Sequence, residues 1–216
     1  RRQRQMCIRD RSGIDTNVGK SYATGYLAKT WNEQGVRTIT QKFIQTGNVG
    51  MSEDIELHRK IMGTGLLPED ESGLTMPEIF TYPCSPHLAA EIDHRPIDFD
   101  KIEKATRQLS ETYDAVLLEG AGGLMVPLTR DLLTIDYVAQ KNYPLIFVTS
   151  GKLGSINHTL LSLEAVTRRG IRLHTVAYNL FPEEDDDIIR RDTEAYIRDL
   201  LAKEYPETHF VIVPKL

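Results

Sequence analysis

Residues 13–21 combine two glycines, a lysine and a serine in a spacing that suits phosphate binding. Glycines let successive backbone amides turn toward an anion, and a following helix directs the positive end of its dipole to the same point. Lys20 would then reach the terminal phosphates, and the Ser21 hydroxyl would bind Mg²⁺. Five residues rather than four separate Gly13 from Gly19, so the spacing departs from the common loop. The stretch predicts a nucleoside triphosphate site.

Three further charged residues stand where an α/β sheet would bring them to the same site. Glu119 ends a predicted strand and is followed by small residues, and Lys42 closes another predicted strand. Ligands of α/β sheets bind at the carboxyl ends of the strands. Asp54 lies near the start of a predicted helix. Since Mg²⁺ bound with ATP takes only one or two carboxylates, Ser21, Asp54 and Glu119 would form a sufficient set.

Each of these residues also has a plain structural explanation. Glu119 and its glycines could form a tight turn after a strand. Lys42 could be a surface lysine, which is where most lysines lie. Asp54 could complement the dipole of its own helix. The phosphate-binding pattern in the same chain favours the chemical interpretation of all three.

Helical and strand-like patterns alternate along the chain, which predicts one α/β domain with a mostly parallel central sheet and helices on both faces. This is the phosphate-binding-loop NTPase class of fold. Residues 63–84 hold several prolines and read as a long irregular stretch. The predicted helices are 20–34, 52–62, 99–113, 134–141, 156–169 and 187–202. The predicted strands are 36–43, 115–118, 145–149, 173–178 and 210–213.

Composition narrows the classes of function. The 216 residues suit a single domain, and a formal net charge of −5 argues against nucleic acid as a partner. No apolar run approaches the roughly 18 residues that cross a bilayer, which argues against a membrane protein. Two cysteines without metal spacing favour a reducing, cytoplasmic location.

The first eleven residues do not fit this pattern. A strand before a phosphate-binding loop should be apolar, because a parallel sheet buries it on both faces. Residues 1–11 instead contain five arginines. We therefore predict a domain of residues 12–216 and treat 1–11 as an atypical segment that is not native. Resequencing the source locus tests this, and an intact stretch in genomic DNA would contradict it.

The chain resembles the dethiobiotin synthetase family from residue 13 to residue 216. Phe43 replaces the proline that is usual in the family's second segment. Asn179 matches its strand-end asparagine. The matching segments are 13–21 (GIDTNVGKS), 42–47 (KFIQTG), 84–87 (CSPH), 119–123 (EGAGG), 152–158 (KLGSINH) and 213–216 (VPKL).

The resemblance implies an ATP-dependent ring closure. The family joins CO₂, taken from the CO₂/bicarbonate pool, to the vicinal amines of 7,8-diaminononanoate, and releases ADP and phosphate with dethiobiotin. A carbamate forms on one amine and attacks the γ-phosphate of ATP. The second amine then displaces phosphate from the carbamic–phosphoric anhydride. Mg²⁺ is the implied cofactor, and a homodimer is the implied assembly.

The resemblance also assigns residues to roles. Lys20 and Lys42 are the catalytic pair, and Ser21, Asp54 and Glu119 hold Mg²⁺. The expected ATP-binding residues are Asn17, Val18, Gly19, Lys20, Ser21, Tyr22, Asp54, Glu119, Gly120, Ala121, Gly122, Asn179, Leu180, Pro214, Lys215 and Leu216. The expected substrate-binding residues are Thr16, Thr46, Lys152, Leu153, Gly154, Ser155, Ile156 and Asn157, of which 152–157 would act across the dimer interface.

Two alternatives stay open. Partitioning ATPases share this loop architecture and switch partners on hydrolysis, but they carry a second lysine near the start of the loop. Ile14 and Asp15 stand at that place here. A catalytically impaired nucleotide-binding paralogue is the other alternative, because the first strand is unusual. Diamine-dependent ADP release would separate the synthetase from both.

Overall fold

The computed structural model describes residues 7–14, 17–181 and 186–215, and for residues 7–11 it describes the backbone alone. Within these ranges helices and strands alternate. The strands are β1 (Cys7–Gly13), β2 (Thr38–Lys42), β3 (Gln45–Thr46), β4 (Ile79–Phe80), β5 (Ala115–Gly123), β6 (Leu145–Ser150), β7 (Leu173–Asn179) and β8 (His209–Val213). The helices are α1 (Lys20–Glu33), α2 (Glu53–Met62), α3 (Pro68–Glu71), α4 (Pro86–Ile92), α5 (Phe99–Thr112), α6 (Thr134–Lys141), α7 (Ser155–Arg168) and α8 (Asp187–Glu204).

Six of the strands form one sheet in the order β2-β5-β1-β6-β7-β8. Every neighbouring pair in it is parallel, so the carboxyl ends of the strands meet along one edge. The short strands β3 and β4 form a second parallel pair just beyond β2. The predicted parallel sheet is confirmed.

Alternate residues of β6 show that both faces of the sheet are covered. Leu145 and Phe147 pack into a core with residues of α6, α7 and α8. Ile146 and Val148 pack into a second core with residues of α1. Since successive side chains of a strand point to opposite faces, helices lie on both sides of the sheet, as predicted.

Most predicted elements agree with the structure to within one or two residues, but β5 continues past the predicted end at 118 to Gly123, so Glu119 lies within the strand. Two helices begin at a capping side chain. The Ser52 side chain accepts a hydrogen bond from the amide of Ile55, and Asp98 accepts one from the amide of Lys101. The expectation of an irregular stretch over 63–84 was wrong in part, because α3 and β4 lie inside it. Such short elements leave no periodic pattern in the sequence.

The backbone of Cys7–Gly13 is paired in the middle of the sheet, between β5 and β6. Ladder hydrogen bonds come from the main chain, so this pairing does not depend on which side chains the segment carries. The hypothesis that 1–11 is not native therefore stays a prediction. None of the helices that the structure describes is long and apolar enough to cross a membrane.

Candidate active site

The phosphate-binding loop lies between β1 and α1, and its glycines are sterically required. Gly19 has φ 78°, a left-handed conformation, and a Cβ there would lie 2.2 Å from Asn179 Nδ2. A Cβ on Gly13 would lie 2.6 Å from the Val18 side chain. Helix α1 begins at Lys20, so its N-terminus faces the carboxyl edge of the sheet. The described end of the loop therefore leads into a helix N-terminus, where a phosphate can bind.

Asn179 ends β7, and its side chain is hydrogen-bonded to the backbone of the phosphate-binding loop. Its Nδ2 donates to the carbonyl oxygens of Val18 at 3.0 Å and Gly19 at 3.4 Å, and its Oδ1 accepts from the amide of Phe181. The side chain is fully buried. In this structure Asn179 shapes the loop, and its predicted contact with adenine stays a prediction.

Lys42 lies beside Glu119 because β2 and β5 pair in register, with Lys42 opposite Glu119. The Lys42 ammonium is 2.9 Å from Glu119 Oε1, 2.5 Å from Asp54 Oδ2 and 3.3 Å from the Gly120 carbonyl oxygen. Lys42 is 5% exposed and Glu119 is fully buried. The predicted meeting of these residues at the sheet edge is observed.

Ser21 joins the same group of atoms. Its Oγ lies 2.6 Å from Asp54 Oδ1 and 2.8 Å from Glu119 Oε1. Among the described residues no group of three or more His, Cys, Asp and Glu side chains could hold a metal. A hydroxyl with two carboxylates nevertheless fits Mg²⁺, a hard cation that takes its other ligands from phosphates and water. The donor set suits the implied ion.

The charges of the pair stabilise each other. Burial acts to raise the pKa of the Glu119 carboxyl, but Lys42 and His58 outweigh it and hold that pKa well below its usual range. Burial acts to lower the pKa of the Lys42 ammonium, but Glu119 and Asp54 outweigh it and raise that pKa above its ordinary value. Both groups are therefore charged across the neutral range.

Sequence reasoning missed His58. This residue is fully buried on α2, and its Nε2 lies 2.9 Å from Glu119 Oε2 while its Nδ1 lies 3.0 Å from Thr40 Oγ1. One signal was present in the sequence, because Asp54 and His58 are four residues apart in a predicted helix and so share a face. A lone histidine in such a helix gives no direct sign of its partner.

Ser21, Lys42, Asp54 and Glu119 line a cavity of about 570 Å³ at the carboxyl edge of the sheet. Ile44 and Val126 add apolar wall, and residues 83–86 close one side. Phe43 is buried behind this wall, with its ring 4.7 Å from that of Tyr137. The predicted site residues that line the cavity are Asn17, Lys20, Ser21, Lys42, Thr46, Asp54, Glu119, Ala121 and Gly122.

Comparison with known proteins shows which family the chain belongs to. A protein-family model described as "AAA domain" matches residues 12–216. The chain is 57% identical over 180 residues to ATP-dependent dethiobiotin synthetase BioD 2 of Haemophilus influenzae, covering 83% of this chain and 94% of that one. It is 52% identical over 202 residues to the protein of the same name from Pasteurella multocida, covering 94% of each.

The chain belongs to the dethiobiotin synthetase family. A third relative, ATP-dependent dethiobiotin synthetase BioD of Chlorobaculum tepidum, is 53% identical over 183 residues, which is 85% of this chain and 77% of that one. The named relatives are ATP-dependent ligases, so the predicted family and class of enzyme are confirmed.

The solved structure of signal recognition particle receptor FtsY from Elizabethkingia anophelis in complex with GDP is similar in fold. The TM-score is 0.55 at 13% identity, and the match covers 98% of this chain and 58% of that one. At this identity the likeness supports the fold alone.

Several residues expected from the dethiobiotin synthetase family do not line the cavity. Tyr22 packs on Phe181, with ring centroids 5.7 Å apart, and the Leu180 amide donates to the Val213 carbonyl. The lining likewise does not include Val18, Gly19, Pro214 and Lys215. Thr16 and Leu216 lie outside the described residues. Their roles in binding stay predictions.

Residues 152–157 form the approach to α7 and its first turn, and they do not line the cavity either. Leu153 is 74% exposed, Gly154 has φ 93°, and Ser155 Oγ lies 3.0 Å from Ser150 Oγ. An exposed helix N-terminus can receive an anion. The predicted contact with a partner's substrate stays a prediction.

Proposed function

We propose that the protein forms dethiobiotin from 7,8-diaminononanoate, CO₂ and ATP, releasing ADP and phosphate, with Mg²⁺ as cofactor. The observation that supports this best is that two lysines line the same cavity as three oxygen-bearing side chains, those of Ser21, Asp54 and Glu119. The relatives' names supply the reaction.

Lys20 and the amides of the loop would bind the ATP phosphates. Lys20 is the first residue of α1, is 5% exposed and lines the cavity. Ser21, Asp54 and Glu119 would hold Mg²⁺. When bound, the ion would neutralise charge on the phosphate oxygens during transfer. The protein's own part is to fix this geometry before ATP arrives.

Lys42 would stabilise charge on the reacting oxygens. In the proposed sequence a substrate amine adds CO₂ and loses a proton, and the carbamate oxygen attacks the γ-phosphorus as the bond to ADP breaks. The second amine then attacks the carbamate carbon, loses a proton and expels phosphate. Negative charge develops on carbamate and phosphoryl oxygens, and an oriented ammonium stabilises them most at that moment.

The substrate would lie along the wall that holds Thr46 and Ile44. Thr46 lines the cavity and ends β3, where a hydroxyl can bond to carbamate or amine. Residues 152–157 would take the substrate carboxylate from the other protomer of a homodimer, as the family resemblance implies. A cytoplasmic location is part of the same proposal.

The decisive assay follows ADP release by the purified protein with ATP, Mg²⁺, bicarbonate and 7,8-diaminononanoate. We expect release that depends on the diamine. Lys20→Met should abolish it, because the phosphates lose their cation. Lys101→Met is the matched control, since this lysine pairs with Glu78 outside the cavity. Diamine-independent release, or release stimulated by DNA or membranes, would favour a switch ATPase instead.

A further inference from the structure

A continuous chain of hydrogen bonds runs from α3 to the proposed magnesium site through the interior of the protein. Its five members lie on α3, α2, β2, α2 again and β5. Each has an exposed fraction of 1% or less. In order, they are Asp70, Arg59, Thr40, His58 and Glu119.

The Asp70 end is fixed. Arg59 donates from Nε to Asp70 Oδ2 and from Nη2 to Oδ1, both at 2.8 Å. The same carboxylate accepts from the Thr75 hydroxyl at 2.6 Å and from the Leu67 amide at 2.8 Å. A forked pair with four donors allows one orientation of the guanidinium. Arg59 Nη1 is thereby directed at Thr40 Oγ1, 2.8 Å away.

The direction of the bonds is fixed at both ends of the chain. A guanidinium can only donate, so Thr40 Oγ1 accepts from Arg59 Nη1, and the same hydroxyl lies 3.0 Å from His58 Nδ1. An ionised carboxylate can only accept, so His58 Nε2 carries a hydrogen and donates to Glu119 Oε2 at 2.9 Å. Glu119 Oε1, which accepts from Lys42 Nζ at 2.9 Å and from Ser21 Oγ at 2.8 Å, is left facing the cavity.

We propose that His58 is a positioning residue that holds Glu119 Oε2, so that Oε1 is presented to the magnesium site, and that the Arg59–Asp70 pair fixes the orientation of the His58 ring through Thr40. The inference rests on the proposed function, because it takes Glu119 as a magnesium ligand. Residues that hydrogen-bond to a metal ligand fix its orientation, and their loss typically lowers metal affinity or activity.

The test measures ATP affinity by calorimetry, with Mg²⁺ and with EDTA, on the purified full chain. His58→Leu removes the donor to Glu119, and we expect the Mg²⁺-dependent gain in ATP affinity to fall by about 10–100-fold. Affinity in EDTA should stay nearly unchanged. His58→Gln can still donate an amide hydrogen to Glu119 and should recover most of the gain.

Thr40→Val supplies a second variant and Thr106→Val its control. Thr40→Val separates Arg59 from His58 and should give an intermediate loss. Thr106→Val removes a buried hydroxyl on α5 that donates to Gln41 Oε1 at 2.8 Å. Gln41 follows Thr40 on β2 but is not a member of the chain of hydrogen bonds. The Thr106→Val variant should bind ATP like the unmodified protein.

The outcomes are distinct. If the unmodified protein binds ATP equally with and without Mg²⁺, then Glu119 is not a magnesium ligand, and both the proposed magnesium site and the inference about His58 are wrong. If the unmodified protein depends on Mg²⁺ but His58→Leu and Thr40→Val match Thr106→Val, the inference alone is overturned. Should His58→Leu not fold, Thr40→Val and His58→Gln decide between the same outcomes.

Discussion

Two buried charge clusters share helix α2 but differ in what surrounds them. The closed cluster is the ion pair of Arg59 with Asp70. The open cluster is Lys42 with Asp54 and Glu119. Helix α2 supplies Arg59 to the first and Asp54 to the second. The two clusters therefore share a helix but not their surroundings, and the difference between them is informative.

In the closed cluster every carboxylate oxygen has two donors, and the cation is a planar group that does not deprotonate. In the open cluster one lysine, a compact charge on a flexible stem, bridges two carboxylates at a cavity wall. A saturated pair resists change, whereas a lysine facing a cavity can exchange partners. We therefore expect the charges of the closed cluster to stabilise the fold and the Lys42 charge of the open cluster to take part in the reaction.

Breaking the closed cluster should have the largest effect. Asp70→Asn keeps the shape of the side chain but leaves the buried Arg59 guanidinium without a carboxylate. We expect the free energy of unfolding to fall by about 3–5 kcal/mol. Urea unfolding at neutral pH measures it. Glu71→Gln, an exposed neighbour on α3, is the control and should change stability by less than about 0.5 kcal/mol. Equal effects would contradict the structural role.

Breaking the open cluster should affect turnover instead. Lys42→Ala removes a charge that is needed most as phosphate transfers, so kcat should fall by about 10²–10³-fold, equivalent to about 2.7–4 kcal/mol. ATP affinity should change far less. Diamine-dependent ADP release and calorimetric ATP binding measure the two. Lys101→Ala should leave both near the unmodified values. Parallel losses of turnover and affinity for Lys42→Ala would refute the role given to this lysine.

Much of the open cluster could be predicted because its residues stand in local sequence patterns. Lys42 closes one predicted strand and Glu119 follows another, and parallel strands bring their carboxyl ends together. The phosphate-binding loop in the same chain indicated that this edge of the sheet is the site. The register of β2 on β5 then places Lys42 opposite Glu119. The main helices and strands were predictable for the same reason, since periodicity and capping residues mark them.

The closed cluster and its link to Glu119 could not be predicted. Thr40 lies inside a strand, and Asp70 belongs to a four-residue helix within a stretch that reads as irregular. Their meeting with Arg59 depends on how α2 and α3 fold over β2, which no spacing in the sequence encodes. Long-range polar contacts of this kind are decided by packing.

Acid should weaken the closed cluster. Burial acts to raise the pKa of Asp70, but Arg59, Thr75 and the Leu67 amide outweigh it, and the pKa lies below the ordinary 3.8. Its contribution is therefore complete well above pH 3.8 and is lost as the pH falls through the lowered folded-state pKa. The stability difference between the unmodified protein and Asp70→Asn should be constant from pH 7 to about 5 and shrink below that. A difference that grows on acidification would contradict this sign.

The smallest expected effect comes from the start of α2, which both clusters share. The Ser52 hydroxyl accepts from the Ile55 amide at 3.2 Å and donates to Gln45 Oε1 at 2.6 Å. Ser52→Ala removes this cap, and the free energy of unfolding should fall by about 0.5–2 kcal/mol. Hydrogen exchange should rise at the first turn of α2, close to Asp54, before it rises near Arg59.

Ser72→Ala is the control, because that hydroxyl is exposed and donates to the nearby Glu69 carbonyl oxygen at 3.2 Å. Helix α2 also packs on α1, where Ile61 lies against Gly25. If Ser52→Ala were no less stable than Ser72→Ala, this packing alone would hold α2. The packing of α2 on α1 would then position both Asp54 and Arg59. The two clusters would differ only in the groups around them, which are a cavity for Lys42 and four hydrogen-bond donors for Asp70.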